Sequence, residues 1–345
     1  PSKFMTATPP TLSLAPMQDV STLPLWQVMH RRGGPDVYVT EYFRVHSDSH
    51  PSKEILRSIT ESYTGKPVIA QMIGNDPADL ARTAIELQSR SDCAGIDVNL
   101  GCPAPRICGK KSGGALLMDL DLIREIADAL RPVVTGSLTF KTRLGFETER
   151  EFQDLLALFA TLPLDGLAIH GRTVREKYQS DVHTDEIAQA VLELPYPVTA
   201  NGSIVSVQSA LAMRKKTNAA GLMIGRGAIR NPWIFDQVRQ AIAGEEMFQP
   251  TLIDLKDYIS DLYEAVAATS TKFHEKSHVT RLKKFMNYIS SGISDGQFTD
   301  EIRRAVTPAD FWEVCDRHLD SPEKMAADPF ADGRLFCGFE VLVNS

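Results

Sequence analysis

The chain has 345 residues, 43% of them hydrophobic and 23% charged, with a formal net charge of −7; this is ordinary globular usage, with room for an α/β barrel of about 250 residues and a smaller appendage. The acidic balance excludes a protein whose whole surface attracts nucleic acid, so any RNA contact has to be local. No apolar run approaches the roughly 18 residues that cross a bilayer, the first ten residues carry no secretory pattern, and five scattered cysteines without a CxxC pair lead to an expectation of no metal and a reducing, cytoplasmic setting.

Eight short apolar runs, at 12–15, 37–40, 68–71, 96–99, 138–141, 166–169, 198–200 and 221–224, read as strands, each followed by a helix-like stretch. Within 77–89, Leu80, Ala84 and Leu87 fall at helical spacing, as do Leu122, Ile126 and Leu130 within 120–130. Eight such units closing on themselves make a TIM barrel. A doubly wound sheet usually carries a glycine-rich turn after its first strand, and here the chain reads Pro16, Met17, Gln18. After Gly244 the alternation stops. Leu255, Tyr258, Ile259, Leu262, Tyr263 and Val266 form one apolar stripe, and Val279, Leu282, Met286 and Ile289 a second. The expected fold is α/β, a TIM (β/α)8 barrel over 1–244 followed by a small all-helical domain over 249–345; the stretch 321–345 shows little periodicity and is assigned to no element.

Barrel enzymes build their sites where strands end and the next loops begin. Gln71, Asn99, Lys141, His170, Asn201, Gly225 and Arg226 close or follow six successive runs. Any one of them could simply cap a helix, but seven converge, and a lysine suits a strand end inside a protein only if an electron-rich partner awaits it. NGS at 201–203 and GRGA at 225–228 follow the last two runs, where barrels commonly hold phosphate. Glycines let backbone N–H groups approach phosphate oxygens, and Arg226 adds a forked pair of charge-assisted bonds.

The segment NLGCPAPRICGKKSGGALL at 99–117 follows the fourth run and holds Cys102 in a turn between Gly101 and Pro103. Cys93, Cys315 and Cys337 read as inert packing, and Cys108 lies further along the loop. The Cys102 thiol is expected at the barrel mouth, where a group with a reference pKa near 8.5 serves as general acid or nucleophile.

These residues resemble the tRNA-dihydrouridine synthase family across about 12–232. LAPMQDV (14–20), VTEYFRV (39–45), the 99–117 loop, HGRT (170–173), NGSI (201–204) and MIGRGAIRNPW (223–233) carry the likeness. The resemblance implies an FMN-binding barrel that reduces the C5=C6 bond of a uridine in tRNA, with NADPH as reductant. It places Pro16, Met17 and Gln18 along the isoalloxazine, Gln71 at its polar edge, and Lys141 beside N1 and O2. His170, Asn201, Gly202, Ser203, Gly225 and Arg226 would line the ribityl and phosphate end. Cys102 would protonate C5 opposite the hydride delivered to C6, and Asn99, Arg143, Arg172 and Tyr178 match positions that contact the target base or its backbone.

Two features depart from the family pattern. Ala115 follows GlyGly where many members have GlySer. The acidic net charge requires cations to concentrate where tRNA lies, and Lys272, Lys276, Arg281, Lys283, Lys284, Arg303 and Arg304, with Arg106, Lys110 and Lys111 at the mouth, are the candidates. The bland alternative for the helical cluster is a solvated face. Two rival functions stand beside the main one: a dihydroorotate-dehydrogenase-like flavoenzyme acting on a free pyrimidine, and a non-catalytic RNA-binding barrel. TEYFRV and HVTRLKKFMNYI (278–289) look most like the subgroup acting on tRNA position 16.

Overall fold

The computed structural model describes residues 8–270, 274–331 and 335–344, with only the backbone of Lys276. Among the described residues nine strands form one sheet: β1 (Thr11–Leu14), β2 (Val37–Val39), β3 (Phe43–Arg44), β4 (Val68–Ile73), β5 (Gly95–Leu100), β6 (Ser137–Arg143), β7 (Gly166–His170), β8 (Val198–Asn201) and β9 (Gly221–Ile224). All pair in parallel, β1 joins β9, and β2 joins β4, which closes eight of them into a barrel. Each of the eight apolar runs is one barrel strand. The extra strand β3 pairs only with Met72 and Ile73 at the far end of β4; two residues are too short to show a period of two.

Register is what assembles the site. In a strand, alternate residues face opposite sides. Along β5 and β6, Ile96, Val98, Leu138 and Phe140 are fully buried in the core shared with Leu80, Ala84, Ile126 and Leu130 of the surrounding helices. The alternate residues therefore look into the barrel and stack in tiers. Gln71 pairs with Asp97 and Asp97 with Thr139; one tier higher, Asn99 pairs with Lys141 and Lys141 with Ala168; higher still, Arg143 pairs with His170, His170 with Asn201, and Asn201 with Met223. Polar residues of neighbouring strands, far apart in the chain, thus meet because the strands are parallel and in register.

Four helices, Leu252–Thr269, Glu275–Ile289, Gln297–Arg304 and Pro308–Leu319, follow the barrel. Capping boxes at Thr251/Asp254 and Thr307/Asp310 set two of their starts. Leu252–Thr269 packs on the first barrel helix, Leu23–His30, and Arg32 reaches Asp261 at 2.7 Å beside it. Arg230, fully buried, donates to the carbonyls of Ser291, Ala326 and Asp328 at 2.8–3.1 Å and so ties barrel, helices and the following chain together.

The segment that carries no periodic signal, beyond residue 321, does not extend the helical group. Residues 335–344 return to the barrel, where the helix Phe339–Asn344 packs on Val207–Thr217. Among the described residues no helix is long and apolar enough to cross a membrane.

Candidate active site at the barrel mouth

A cavity of about 580 Å³ opens at the strand ends, within the size range of small-molecule sites. Of the residues expected there, Pro16, Met17, Gln18, Asn99, Cys102, Lys141, Arg143, His170, Tyr178, Asn201, Gly202, Ser203, Gly225 and Arg226 all line it. Gln71 and Arg172 do not. Gln71 is fully buried below, donating to Asp97 Oδ2 at 2.8 Å and accepting from Asn99 Nδ2 at 3.0 Å. Arg172 is buried behind the wall, donating to Ser203 Oγ at 2.8 Å and to the carbonyl of Ser180 at 2.7 Å. The neighbouring strand absorbs the Gln71 side chain, and loop residues together with the C-terminal segment absorb that of Arg172, so each holds other residues in place.

Asn99 governs the cysteine loop. Its Oδ1 accepts the backbone N–H groups of Gly101 and Cys102 at 3.0 and 2.9 Å, which turns the chain at the end of β5 and presents Cys102 to the cavity. The Cys102 carbonyl is in turn held by the N–H of Gly114 at 3.1 Å and the thiol of Cys108 at 3.3 Å. The Cys102 side chain packs against Tyr42, Ile73 and Ile107. Arg143 fixes the same loop from the other side: its Nε donates to the Gly101 carbonyl at 2.8 Å and its Nη1 to the carbonyls of Thr173 and Lys177 at 2.9 and 2.6 Å. Its guanidinium also lies 5.1 Å from the Tyr178 ring, and that of Arg226 4.7 Å from the same ring, both within cation–π range.

The wall is cationic. Arg106, Lys141, Arg143, Lys177 and Arg226 line the cavity, against one carboxylate, that of Asp19, among the described residues, so the site suits an electron-rich or anionic ligand. Burial, and then the nearby Arg143 charge, depress Lys141 to about 8, so it stays mostly charged at neutral pH. Burial and the surrounding Arg143, Lys141, Arg172 and Arg226 hold His170 well below the usual histidine value, leaving a neutral ring. Asp97 is raised to about 6 by burial, opposed by its bonds from Thr139 and Gln71.

Features of the wall fit a flat aromatic ring system with a phosphate tail. Ala15, Pro16 and Met17 form an apolar side, and Gln18 Oε1 is buried without a hydrogen-bond partner among the described residues, a cost that a ligand donor would remove. At the other end, Gly202 has φ +122 and a Cβ there would meet His170 Cδ2 and Val182 Cγ2 at 3.1 Å. Ser203 follows at φ +54, left-handed without being glycine, so the chain holds a strained turn where β8 ends. Among the described residues no group of three or more His, Cys, Asp or Glu could hold a metal ion.

The Dihydrouridine synthase (Dus) family model matches residues 13–323. The chain belongs to this family. It is an oxidoreductase on that ground. A tRNA-dihydrouridine(16) synthase of Neisseria meningitidis serogroup A is 28% identical over 305 residues, 86% of this chain and 91% of the relative. A tRNA-dihydrouridine synthase B of Xanthomonas axonopodis pv. citri is 30% identical over 303 residues, 87% of this chain and 90% of the relative. Among solved structures, histamine dehydrogenase from Rhizobium sp. 4-9 shares the barrel at a TM-score of 0.51 and 12% identity, over 73% of this chain and 49% of that one; this chain spans about half that protein's length, and the likeness concerns the fold alone.

Several wall residues are not among the expected site residues. Tyr42 and Tyr288, within the VTEYFRV and HVTRLKKFMNYI segments, line the cavity together with Lys177 and Leu335, and Tyr288 and Leu335 come from beyond the barrel. Of the cations expected to meet RNA, Arg281 and Lys284 border a second cavity of about 580 Å³ that shares Gln18 and Asp19 with the first. Glu41 lies in that cavity, raised to about 7 by burial. Lys283 donates to the Arg303 carbonyl at 3.0 Å. The side chain of Lys276, and Lys272, lie outside the described residues. Cys337, expected as packing, instead sits on the returning C-terminal segment with its thiol donating to the Tyr178 carbonyl.

Proposed function

We propose that this chain is a flavin-dependent tRNA-dihydrouridine synthase that reduces the C5=C6 bond of a uridine in tRNA, with FMN as cofactor and NADPH as reductant, in the cytoplasm. The observation that carries the reading is the meeting of Cys102, Lys141 and Arg226 on one cavity whose wall has an apolar side at 15–17 and a cationic remainder. The curated relatives above act, by name, on tRNA, and the uridine at position 16 is the first to examine because one of them is named for it.

Pro16, Met17 and Gln18 would hold the ring system of FMN, Lys141 its electron-rich edge, and Asn201, Gly202, Gly225 and Arg226 its phosphate end. When bound, FMN supplies the hydride that adds to C6 of the pyrimidine. Hydride addition places negative charge on C5 and the adjoining carbonyl, and the chain's task is to meet it. Cys102 holds the proton that goes to C5, and a positioned general acid contributes about 10²- to 10⁴-fold. Asn99 and Arg143 keep that thiol in place by bonding its loop from both sides. Lys141 offers a fixed positive charge in a site of low dielectric, worth far more there than in water. Neutral His170 adds a hydrogen-bonding group to the wall without a further charge.

The target base must leave its stack to enter such a cavity, at a cost of a few kcal/mol. The second cavity, which shares Gln18 and Asp19 with the first and is bordered by Arg281 and Lys284, offers cations on the helical side for the RNA backbone. The test is direct: purified protein with FMN, NADPH and tRNA lacking dihydrouridine. Dihydrouridine in the tRNA, with free uridine left unreduced, is the expected result. Turnover of free pyrimidine with tRNA untouched would overturn the reading.

A further inference from the structure

The C-terminal segment adds a wall to the site that the family match does not include. The match ends at residue 323, whereas Leu335 lines the active-site cavity. The Leu335 carbonyl accepts from Arg226 Nη1, and the Cys337 carbonyl accepts from Ser203 Oγ at 3.1 Å and Arg172 Nη2 at 3.2 Å. Ser203 and Arg226, read in the sequence as phosphate-end residues, are therefore both bonded to carbonyls of the returning chain.

We infer that residues 335–344 form a strap that closes the phosphate end of the cofactor site and holds Arg226 in position. This rests on the FMN reading above. The strap is seated by burial and does not merely lie on the surface: Phe336 and Phe339 are only 1% and 6% exposed and pack with Val205 and Tyr288. Such anchors keep a segment in place. The strap also sets the loop opposite, through the Cys337 thiol on the Tyr178 carbonyl and through Gly338, where a Cβ would press Ser180 O at 2.8 Å.

A guanidinium has five donor hydrogens in a planar fork. Only Arg226 Nη1 is engaged by the strap among the described residues, so the fork is oriented with donors to spare for a phosphate. The Ser203 hydroxyl, by contrast, is consumed by the strap and by Arg172, which leaves its backbone N–H as its contribution. A seated wall of this kind slows departure of a phosphorylated ligand and leaves the ring end of the site untouched.

The experiment measures release of FMN and of riboflavin, which lacks the phosphate, by flavin fluorescence in stopped flow. Three proteins are compared: the full chain, a chain ending at residue 334, and the full chain carrying Phe336→Ala with Phe339→Ala, each checked by circular dichroism. Release of FMN is expected to accelerate roughly tenfold or more in both variants, as loss of one oriented charge-assisted bond implies, with riboflavin release changed less than about twofold. Should the truncated chain fail to fold, the double variant carries the test. FMN release indifferent to both changes overturns the strap alone. Tighter FMN binding in the variants also overturns it, showing that the carbonyls of Leu335 and Cys337 compete with phosphate. Wild-type protein that binds neither flavin overturns the cofactor reading, and the strap with it.

Discussion

Lys141 at about pKa 8 makes cofactor affinity a function of pH in a direction that can be worked out. In the free pocket the ammonium is disfavoured by burial and by Arg143; an electron-rich or anionic ligand restores its preference for charge. Binding therefore takes up a proton above pH 8, and affinity is full below that value and lost as pH rises through it. With a free-pocket value near 8, the dissociation constant should rise about tenfold between about pH 7 and pH 9. Replacing Lys141 with Met removes the slope, because the arginines keep their charge across this window.

The same substitution should help the cofactor-free fold. A folded-state pKa below the usual 10.5 means that burying charged lysine costs stability fully below about pH 8, a cost that fades as pH rises toward the unfolded value. Lys141 is partly exposed to the cavity, so the full shift overstates the cost, and Lys141→Met should stabilise the apoprotein by about 1–3 kcal/mol at neutral pH. Fluorescence titration of apoprotein with FMN from about pH 7 to 9, alongside urea unfolding of both proteins, checks both halves. A wild-type affinity that stays flat, or an equal slope in Lys141→Met, refutes the role assigned to the lysine.

Gln71→Ala strips Asp97 and Asn99 of buried partners and should cost roughly 2–4 kcal/mol in urea unfolding; a loss within about 0.5 kcal/mol would mean that the tier below the cavity is not holding Asn99. Arg230→Met removes the donors that bind the carbonyls of Ser291, Ala326 and Asp328, and limited proteolysis should then cut near 326–328 well before the barrel, where the wild type resists. Gly202→Ala adds a Cβ at φ +122 against His170 and Val182, so isothermal titration should show weaker FMN binding, and an unchanged constant would place the phosphate elsewhere.

Much of the barrel and its polar rim is legible in the chain because parallel strands buried on both faces write themselves as short apolar runs, and residues that end or follow most of those runs sit at the mouth. Lys141, Asn201 and Arg226 follow from that alone. Which of those ends reaches ligand is decided by register with the neighbouring strand. Gln71 faces Asp97 across β4 and β5 and is spent there, and Asp97 itself hides as one acid inside the apolar GIDVNL of β5. The family resemblance implies that Arg172 contacts the target base or its backbone; in the structure its donors go to Ser203 and to carbonyls of the chain. Backbone carbonyls are offered by every residue type, so neither that partnership nor the return of residues 335–344 leaves any trace in composition or period. Tyr288 reaches the cavity because the helix Glu275–Ile289 lies over the mouth, a tertiary fact that its helical spacing does not announce.

The thiol at the end of β5 is the pivot of the proposed chemistry. Single-turnover reduction of tRNA by the FMN-loaded protein, wild type against Cys102→Ala, reads it in one step. With flavin content and tRNA affinity unchanged, the variant should form dihydrouridine about 10²- to 10⁴-fold more slowly. An equal rate in the two proteins would contradict proton delivery from Cys102.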